Sequence, residues 1–527
     1  MRTLLFLFAL VCAINIQAQQ YSKLKVYLNP IAENLIQERG LELDHGIVKK
    51  GVFLINDFDA ETIAWMDESG IQYDVLIEDV KHFYTTRKDN SNSRGNRDAC
   101  FTTQNDTIDI PENFQLGSMG GFYTYQEFLQ NLDSMHALFP DLISERAVID
   151  TFLTHEGLPL YQVKISDNVS VNENEPELLY TAIHHAREPQ SMTQLIFFMW
   201  YMLENYATDD EVKYLVDNTQ MYFVPMVNPD GYIYNETTDP NGGGMWRKNR
   251  RNNGDGTDGV DLNRNYGYEW GIDNQGSSPN TGSETYRGLS AFSEQETRAV
   301  AWLSEQHQFT LALNYHAYGN YLIYPWGTGT VLTPDSNTFI ALATEMTRVN
   351  NYVFGTGVQT VGYNVNGDSD DWMYGEQTTK NKMLSMTPEV GKQDDGFWPM
   401  TSRITPLSQE NLLPNMLLAH FAGDYATIAS LESQFIEDLT GNINFSATRL
   451  GLEFNGPYSF SVEPISSNIS NLGAAFDLNA MVIAEANPVS VSYELDPLII
   501  EGEDVVYDLV ATFNGFSVKQ RVTRVFG

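Results

Sequence analysis

The segment Glu177–Gln190, ELLYTAIHHAREPQ, runs an apolar stretch straight into two histidines, an arginine and a glutamate. ELLYTAI has the composition of a fully buried strand. The following apolar run LIFFMWYML, residues 195–203, is too short to span a membrane and reads as a core helix packed on a sheet. A buried strand feeding a helix is the repeating unit of an α/β domain, so His185 and Glu188 fall just past a strand end. In open α/β sheets, ligands gather outside the carboxyl ends of the strands.

An imidazole and a carboxylate three residues apart on such a turn can face one point. Together they offer two of the three protein ligands that a catalytic zinc takes, with a position left open. Taken alone, a surface ion pair explains the pattern better, because nine histidines and 69 acidic residues make one chance HxxE unsurprising. A second strand end changes the weighing. FTLALNY, residues 309–315, is strand-like and delivers His316. A third, MLSMTPEVG at 383–391, delivers Glu389, a carboxylate able to serve as a base. MWRKNRR at 245–251 is a basic cluster in an acidic chain. GVDLNRNYG at 259–267 sets Asn263 beside Arg264, a pair suited to gripping a carboxylate. A surface patch and a capped polar turn are the plain alternatives for these last two.

The 527 residues exceed one ordinary domain, and 42% hydrophobic content is enough for real cores. A formal net charge of −38 argues against nucleic acid as a partner. MRTLLFLFALVCAINIQAQQ pairs Arg2 with a short apolar run and the small residue Ala18, the pattern of an export signal over 1–18. A secreted protein with no membrane span is expected. Cys100 would then be the only cysteine left in the mature chain, in a polar segment with no histidine near it. That leaves no internal disulfide and no cysteine cluster for a metal.

Residues 19–100 are expected to hold a small α+β unit and a polar linker. Residues 110–428 alternate strand and helix patterns. Residues 435–527 turn to short alternating strands, as in a β-sandwich. DGTDGVD, Asp255–Asp261, is an oxygen-rich loop whose spacing matches no full calcium motif. A solvated acidic loop is the preferred reading over a calcium site.

HHARE, NPDGY, MWRKNRR, VDLNRNYG, SETYRG, NYHAYG, GYNVNGDSDDWMYG and TPEVG follow one another in order over roughly residues 180–391. This ordered set resembles the zinc metallocarboxypeptidases of the carboxypeptidase A/B type, including their bacterial secreted, carboxypeptidase T-like members. The resemblance implies an α/β fold with a mixed open sheet flanked by helices. It implies one Zn2+ per chain on His185, Glu188 and His316, with Glu389 as general base and Arg247 stabilising the oxyanion against the substrate. It assigns Asn263, Arg264 and Tyr363 to the clamp on the terminal carboxylate, and Arg187 and Tyr318 to the approach for upstream residues. Asp370 is placed at the base of the pocket for the terminal side chain, as in members that prefer Lys or Arg, with Asp368 adding negative potential. His184 receives no role. The N-terminal unit becomes an inhibitory propeptide, released by a protease cutting at Arg87, Arg94 or Arg97. The expected partners are peptide or protein C-termini, met by a monomer.

Three other readings compete. A silent binding module would lack a ligand, the base or the oxyanion arginine, and none is missing. A zinc amidase acting on cell-wall or modified peptides would share the metal set but differ in the clamp. Dual basic and apolar specificity would keep the enzyme and relax the pocket.

Overall fold

The computed structural model describes residues 20–39, 41, 46–49, 51–87 and 108–527. The expected export signal, Cys100, Arg94 and Arg97 lie outside the described residues.

The N-terminal unit is a four-stranded antiparallel sheet of β1 (Tyr21–Tyr27), β2 (Ile47–Lys49), β3 (Phe53–Asp59) and β4 (Tyr73–Ile77), in the order β2-β3-β1-β4. Helices Pro30–Arg39 and Ala60–Glu68 cover it, and Leu24, Val26, Ile36, Leu54 and Met66 form its own core. A third helix, Val80–Thr86, leads out of the sheet.

The central sheet has eight strands: β5 (Ala147–Leu153), β6 (Pro159–Ile165), β7 (Glu177–Ala182), β8 (Gln220–Val224), β9 (Phe309–Tyr315), β10 (Tyr321–Ile323), β11 (Val353–Gly355) and β12 (Leu384–Glu389). Their order is β11-β10-β12-β9-β7-β8-β6-β5. β8, β7, β9 and β12 run parallel in the middle, while β6, β5 and β10 bring antiparallel pairings toward the edges. Every residue of β7, β8 and β12 is buried, as a sheet covered on both faces requires. The period-2 alternation sorts β7 between two layers. Leu178, Tyr180 and Ala182 belong to the core that includes Met192, Leu195 and Phe198 of the helix Pro189–Asn205. Leu179 belongs to the opposite core, with Ala299, Val300 and Leu303 of the helix Gln295–Gln306. LIFFMWYML is therefore a core helix segment, as its length implied.

The C-terminal region is built from two facing sheets. One pairs β13 (Ala426–Ser430), β15 (Thr440–Arg449), β17 (Ile469–Leu472) and β19 (Ala486–Leu495). The other pairs β14 (Phe435–Ile436), β16 (Tyr458–Pro464), β18 (Phe476–Leu478), β20 (Asp504–Phe513) and β21 (Phe516–Phe526). β13, at the end of the 110–428 segment, is already hydrogen-bonded into this region through β15. No helix among the described residues is long and apolar enough to cross a membrane.

Candidate active site

The turn after β7 explains how HHARE reaches its place. Ile183 takes a left-handed φ of 53°, ending the strand, and Pro189 opens the next helix at its first turn, where a missing N–H costs nothing. Glu188 holds the N-cap position but makes no side-chain cap bond; its carboxylate turns toward two imidazoles instead. Ser191 ties the turn together, donating from Oγ to the Glu188 carbonyl (2.6 Å) and accepting from the Ile183 N–H (3.2 Å). The positive end of the helix favours a carboxylate at this spot.

His316 follows β9, and Glu389 ends the neighbouring parallel strand β12. Two backbone hydrogen bonds lock these strand ends in register: His316 N–H to the Pro388 carbonyl and Val390 N–H to the His316 carbonyl, both 2.9 Å. His185 Nδ1 lies 2.8 Å from Glu188 Oε1, His316 Nδ1 lies 2.9 Å from Glu188 Oε2, and the two Nδ1 atoms are 3.1 Å apart. Two imidazole nitrogens and one carboxylate thus converge in a fully buried cluster. A neutral imidazole pair plus a carboxylate is a donor set that zinc accepts, so the residues present fit the metal.

Asp261 holds this cluster in orientation. Its Oδ1 faces His185 Nε2 at 3.2 Å and accepts from the Asn263 N–H at 2.9 Å. Its Oδ2 accepts from Arg247 Nη2 at 2.8 Å and Nε at 3.1 Å. That network assigns the His185 proton to Nε2 and leaves the Nδ1 lone pair facing the cluster. Burial, then Arg247, pushes the His185 pKa down, which keeps the ring neutral. Burial alone would raise the Asp261 and Glu188 carboxyls. Arg247 and Arg264 hold Asp261 well below the usual carboxylate range.

One pocket is lined by His185, His316, Glu389, Asn263, Arg264 and Tyr363 together with Asp368, Asp370 and Asp371. Asn263 accepts from the Ser369 N–H through Oδ1 (2.9 Å), which joins the short 3-10 turn Leu262–Arg264 to the aspartate loop. Arg247 is not among the lining residues, its buried guanidinium lying on Asp261. Nor are Arg187 and Tyr318, which meet on the Phe397 ring. The Arg187 guanidinium lies 4.2 Å from the ring centroid and Tyr318 packs edge-on at 4.9 Å.

The aspartate loop is heavily buried. Asp370 Oδ1 accepts from Asn314 Nδ2 and Oδ2 from Thr387 Oγ1, both at 2.7 Å. Both Asp371 oxygens receive the Gly327 N–H, at 2.9 and 3.0 Å. Asp368 Oδ1 caps the helix Ser369–Gly375 through the Asp371 N–H, while its buried Oδ2 has no hydrogen-bond partner among the described residues. Burial, then Asp368, pushes the Asp370 carboxyl up to about 7.

Asp261, Asn314 and Thr387 were not singled out in the sequence, although all lie within its motifs. The available signals were an Asp two residues before Asn263, where a turn cap belongs, and an Asn inside the apolar strand FTLALNY, where a polar side chain needs a partner. In the DGTDGVD loop, Asp255 accepts from Thr257 and Thr281, and Asp261 serves Arg247 and His185.

Comparison with known proteins follows the same lines. Carboxypeptidase B of Astacus astacus is 30% identical over 313 residues, covering 58% of this chain and 97% of the relative. The "Inactive metallocarboxypeptidase ecm14" of Talaromyces marneffei is 29% identical over 352 residues, 60% of this chain, and the match spans only 58% of that relative. The carboxypeptidase A structure from Helicoverpa armigera superposes with a TM-score of 0.60 at 21% identity, over 77% of this chain and 98% of that one, a likeness of fold. The family model described as zinc carboxypeptidase matches residues 128–414, more than half of the chain and inclusive of every motif above, and the chain belongs to that family.

Proposed function

We propose that this metallocarboxypeptidase removes C-terminal residues from peptides and proteins, with Lys and Arg ends preferred, and that it is made as an exported zymogen. One observation carries the reading: metal-type ligands, a strand-end carboxylate, a carboxylate clamp and buried aspartates share a single pocket. All residues whose loss would silence the site are present. His185, Glu188 and His316 would hold one Zn2+, which would supply a Lewis acid for the scissile carbonyl and lower the pKa of water.

The remaining work falls to the chain's own groups. Glu389 accepts the proton of the attacking water and returns one to the leaving amine. Arg247, buried on Asp261 behind the pocket lining, is the donor that the family resemblance assigns to the negative charge developing on the carbonyl oxygen. Removing such a donor typically costs about 2.7–4 kcal/mol in barrier. Asn263, Arg264 and Tyr363 bind the terminal carboxylate and set the distance from chain end to metal, which makes the action exo. Arg187 and Tyr318 position upstream residues beside Phe397.

The end-residue preference rests on the aspartate loop. Asp370 is hydrogen-bonded through both oxygens, so it supplies negative potential, and Asp368 Oδ2 makes the direct contact with a cationic side chain. Ile323, Val361 and Val365 line the same pocket and favour acceptance of apolar ends as the second reading. The test is kcat/KM for matched peptides ending in Arg, Lys, Leu, Phe and Glu. Basic ends should lead in wild type. Asp368→Asn should cut their kcat/KM by at least about thirtyfold, the cost of breaking a buried charge pair, while sparing Leu and Phe. Equal ranking in both proteins would contradict the preference.

Latency is supported by where the N-terminal unit sits. Leu28, Ile36 and Leu54 of that unit and Arg264 and Tyr363 of the clamp line one cleft. The helix Val80–Thr86 reaches the catalytic face through a Lys81–Asp239 ion pair (2.9 Å) and through Tyr84, whose hydroxyl accepts from the Phe397 N–H (3.3 Å). Arg87 donates to the carbonyls of Asp394, Asp395 and Trp398. An arginine so engaged is a poor cut position, which favours cleavage at Arg94 or Arg97.

A further inference from the structure

A second group of metal-type ligands lies away from the peptide pocket. His155 stands on the turn between β5 and β6, and Glu294 and Glu296 sit at the start of the helix Gln295–Gln306. One ring nitrogen and one oxygen from each carboxylate lie within 4.8 Å of one another. Both glutamates are fully buried, while the His155 side chain keeps 31% exposure, so the cluster has a carboxylate floor and a rim open to solvent.

Glu294 is well partnered. Its oxygens accept from His155 Nε2 (2.7 Å), Asn249 Nδ2 (2.8 Å), Arg251 Nη1 (2.7 Å) and Ser293 Oγ (2.7 Å). Glu296 is not. Its Oε1 has one long contact, Asn249 Nδ2 at 3.2 Å, and its buried Oε2 has no hydrogen-bond partner among the described residues. A buried carboxylate oxygen left unpaired is costly, and protonation does not remove the problem, because an O–H there would need an acceptor. Charge points the same way for Glu296, because the nearby Arg251 is paired to Glu294. Asp230 is buried close by, engaged with Thr154 and Glu156, and Arg250 is spent on Asp258. Burial, then Glu294, pushes the Glu296 carboxyl up to about 7.

We infer that His155, Glu294 and Glu296 form a second metal site, taking a divalent transition ion of the zinc or manganese class. One imidazole with two carboxylates suits such ions. His155 Nε2 turns from donor to ligand, and the ion supplies the partner that Glu296 lacks. Asn249 touches both glutamates and lies two residues from Arg247, so the ion ties the β5–β6 turn and the helix start to the segment carrying that arginine. Its role is structural.

The test counts ions on the full-length protein, stripped with a chelator and re-equilibrated with Zn2+ alone or Mn2+ alone. Two ions per chain are expected in wild type. One is expected in His155→Ala, a change at the exposed rim that the fold tolerates, and one in Glu296→Gln. His316→Ala empties the first site and should also keep one, which separates this inference from the proposed catalytic zinc. Unchanged counts in His155→Ala and Glu296→Gln would overturn it. So would a Glu296→Gln protein that melts higher than wild type with no ion lost, the mark of a buried charge relieved in an unfilled cluster.

Discussion

Asp261 is the residue on which the catalytic cluster turns. It faces His185, accepts from Asn263 and neutralises Arg247, so one carboxylate fixes the proposed metal ligand, the proposed clamp residue and the proposed oxyanion donor. Replacing the partner of a metal-bound imidazole usually costs about 10–100-fold in metal affinity. Asp261→Asn should therefore weaken zinc binding by that factor in a competition titration with a chromogenic chelator, and unchanged affinity would remove the hub role. Asp370 carries a pH signature. Its folded pKa is raised from the ordinary 3.8 to about 7 by burial and by Asp368, with Asp371 and His316 also nearby. Between those values the folded protein holds a proton that the unfolded chain has released. Stability from this group is present below 3.8 and is lost as pH rises to about 7, where the loop regains the charge on which the proposed preference for cationic ends rests. KM for Arg-ended peptides should then fall as pH rises toward and past 7, with KM for Leu-ended peptides flat. Parallel profiles for the two peptides would contradict the assignment.

At the scale of elements, the helix Val80–Thr86 is where the N-terminal unit grips the catalytic face. Arg87 gives it three charge-assisted bonds to main-chain carbonyls, and hydrogen bonds to charged groups contribute about 1.5–3 kcal/mol each. Arg87→Ala should raise the turnover of uncut protein about tenfold or more without changing that of protein truncated just before Ile108. Equal turnover of full-length and truncated wild type would sink latency altogether. The strand ends were legible because period and composition place them. ELLYTAI, FTLALNY and MLSMTPE are apolar runs that stop at a histidine or a glutamate, and β7, β9 and β12 are parallel neighbours along one edge-to-edge path. The loops between were legible only as motifs. Nothing in MWRKNRR tells which arginine is buried; that depends on Asp261, fourteen residues away. The resting of Arg187 on Phe397 depends on a contact across roughly two hundred residues of chain, and that of Tyr318 on one across about eighty, which no local pattern encodes.

The whole molecule is joined more tightly than its segments suggest. The core of the central sheet continues into the C-terminal sheets, and the rings of Tyr214, His420, Tyr425, Phe513 and Phe516 pack against one another across the junction. All eight tryptophans lie at or before Trp398, so tryptophan fluorescence reports unfolding of everything except the C-terminal sheets. Phe513→Ala, which removes a buried ring and costs roughly 3–5 kcal/mol, should nevertheless lower the fluorescence melting transition. A transition that stays put would mean the C-terminal region unfolds on its own. Above all these rests the claim that one pocket cuts peptide chains from their carboxyl end with zinc. Its most direct test is digestion of a defined peptide by linker-cut protein, followed by mass spectrometry, with the same peptide amidated at its C-terminus as control. Stepwise loss of C-terminal residues from the free acid, abolished by a chelator, restored by Zn2+ and absent for the amide, is the expected result. Internal cleavage, equal hydrolysis of the amidated peptide, or activity indifferent to the chelator would contradict it.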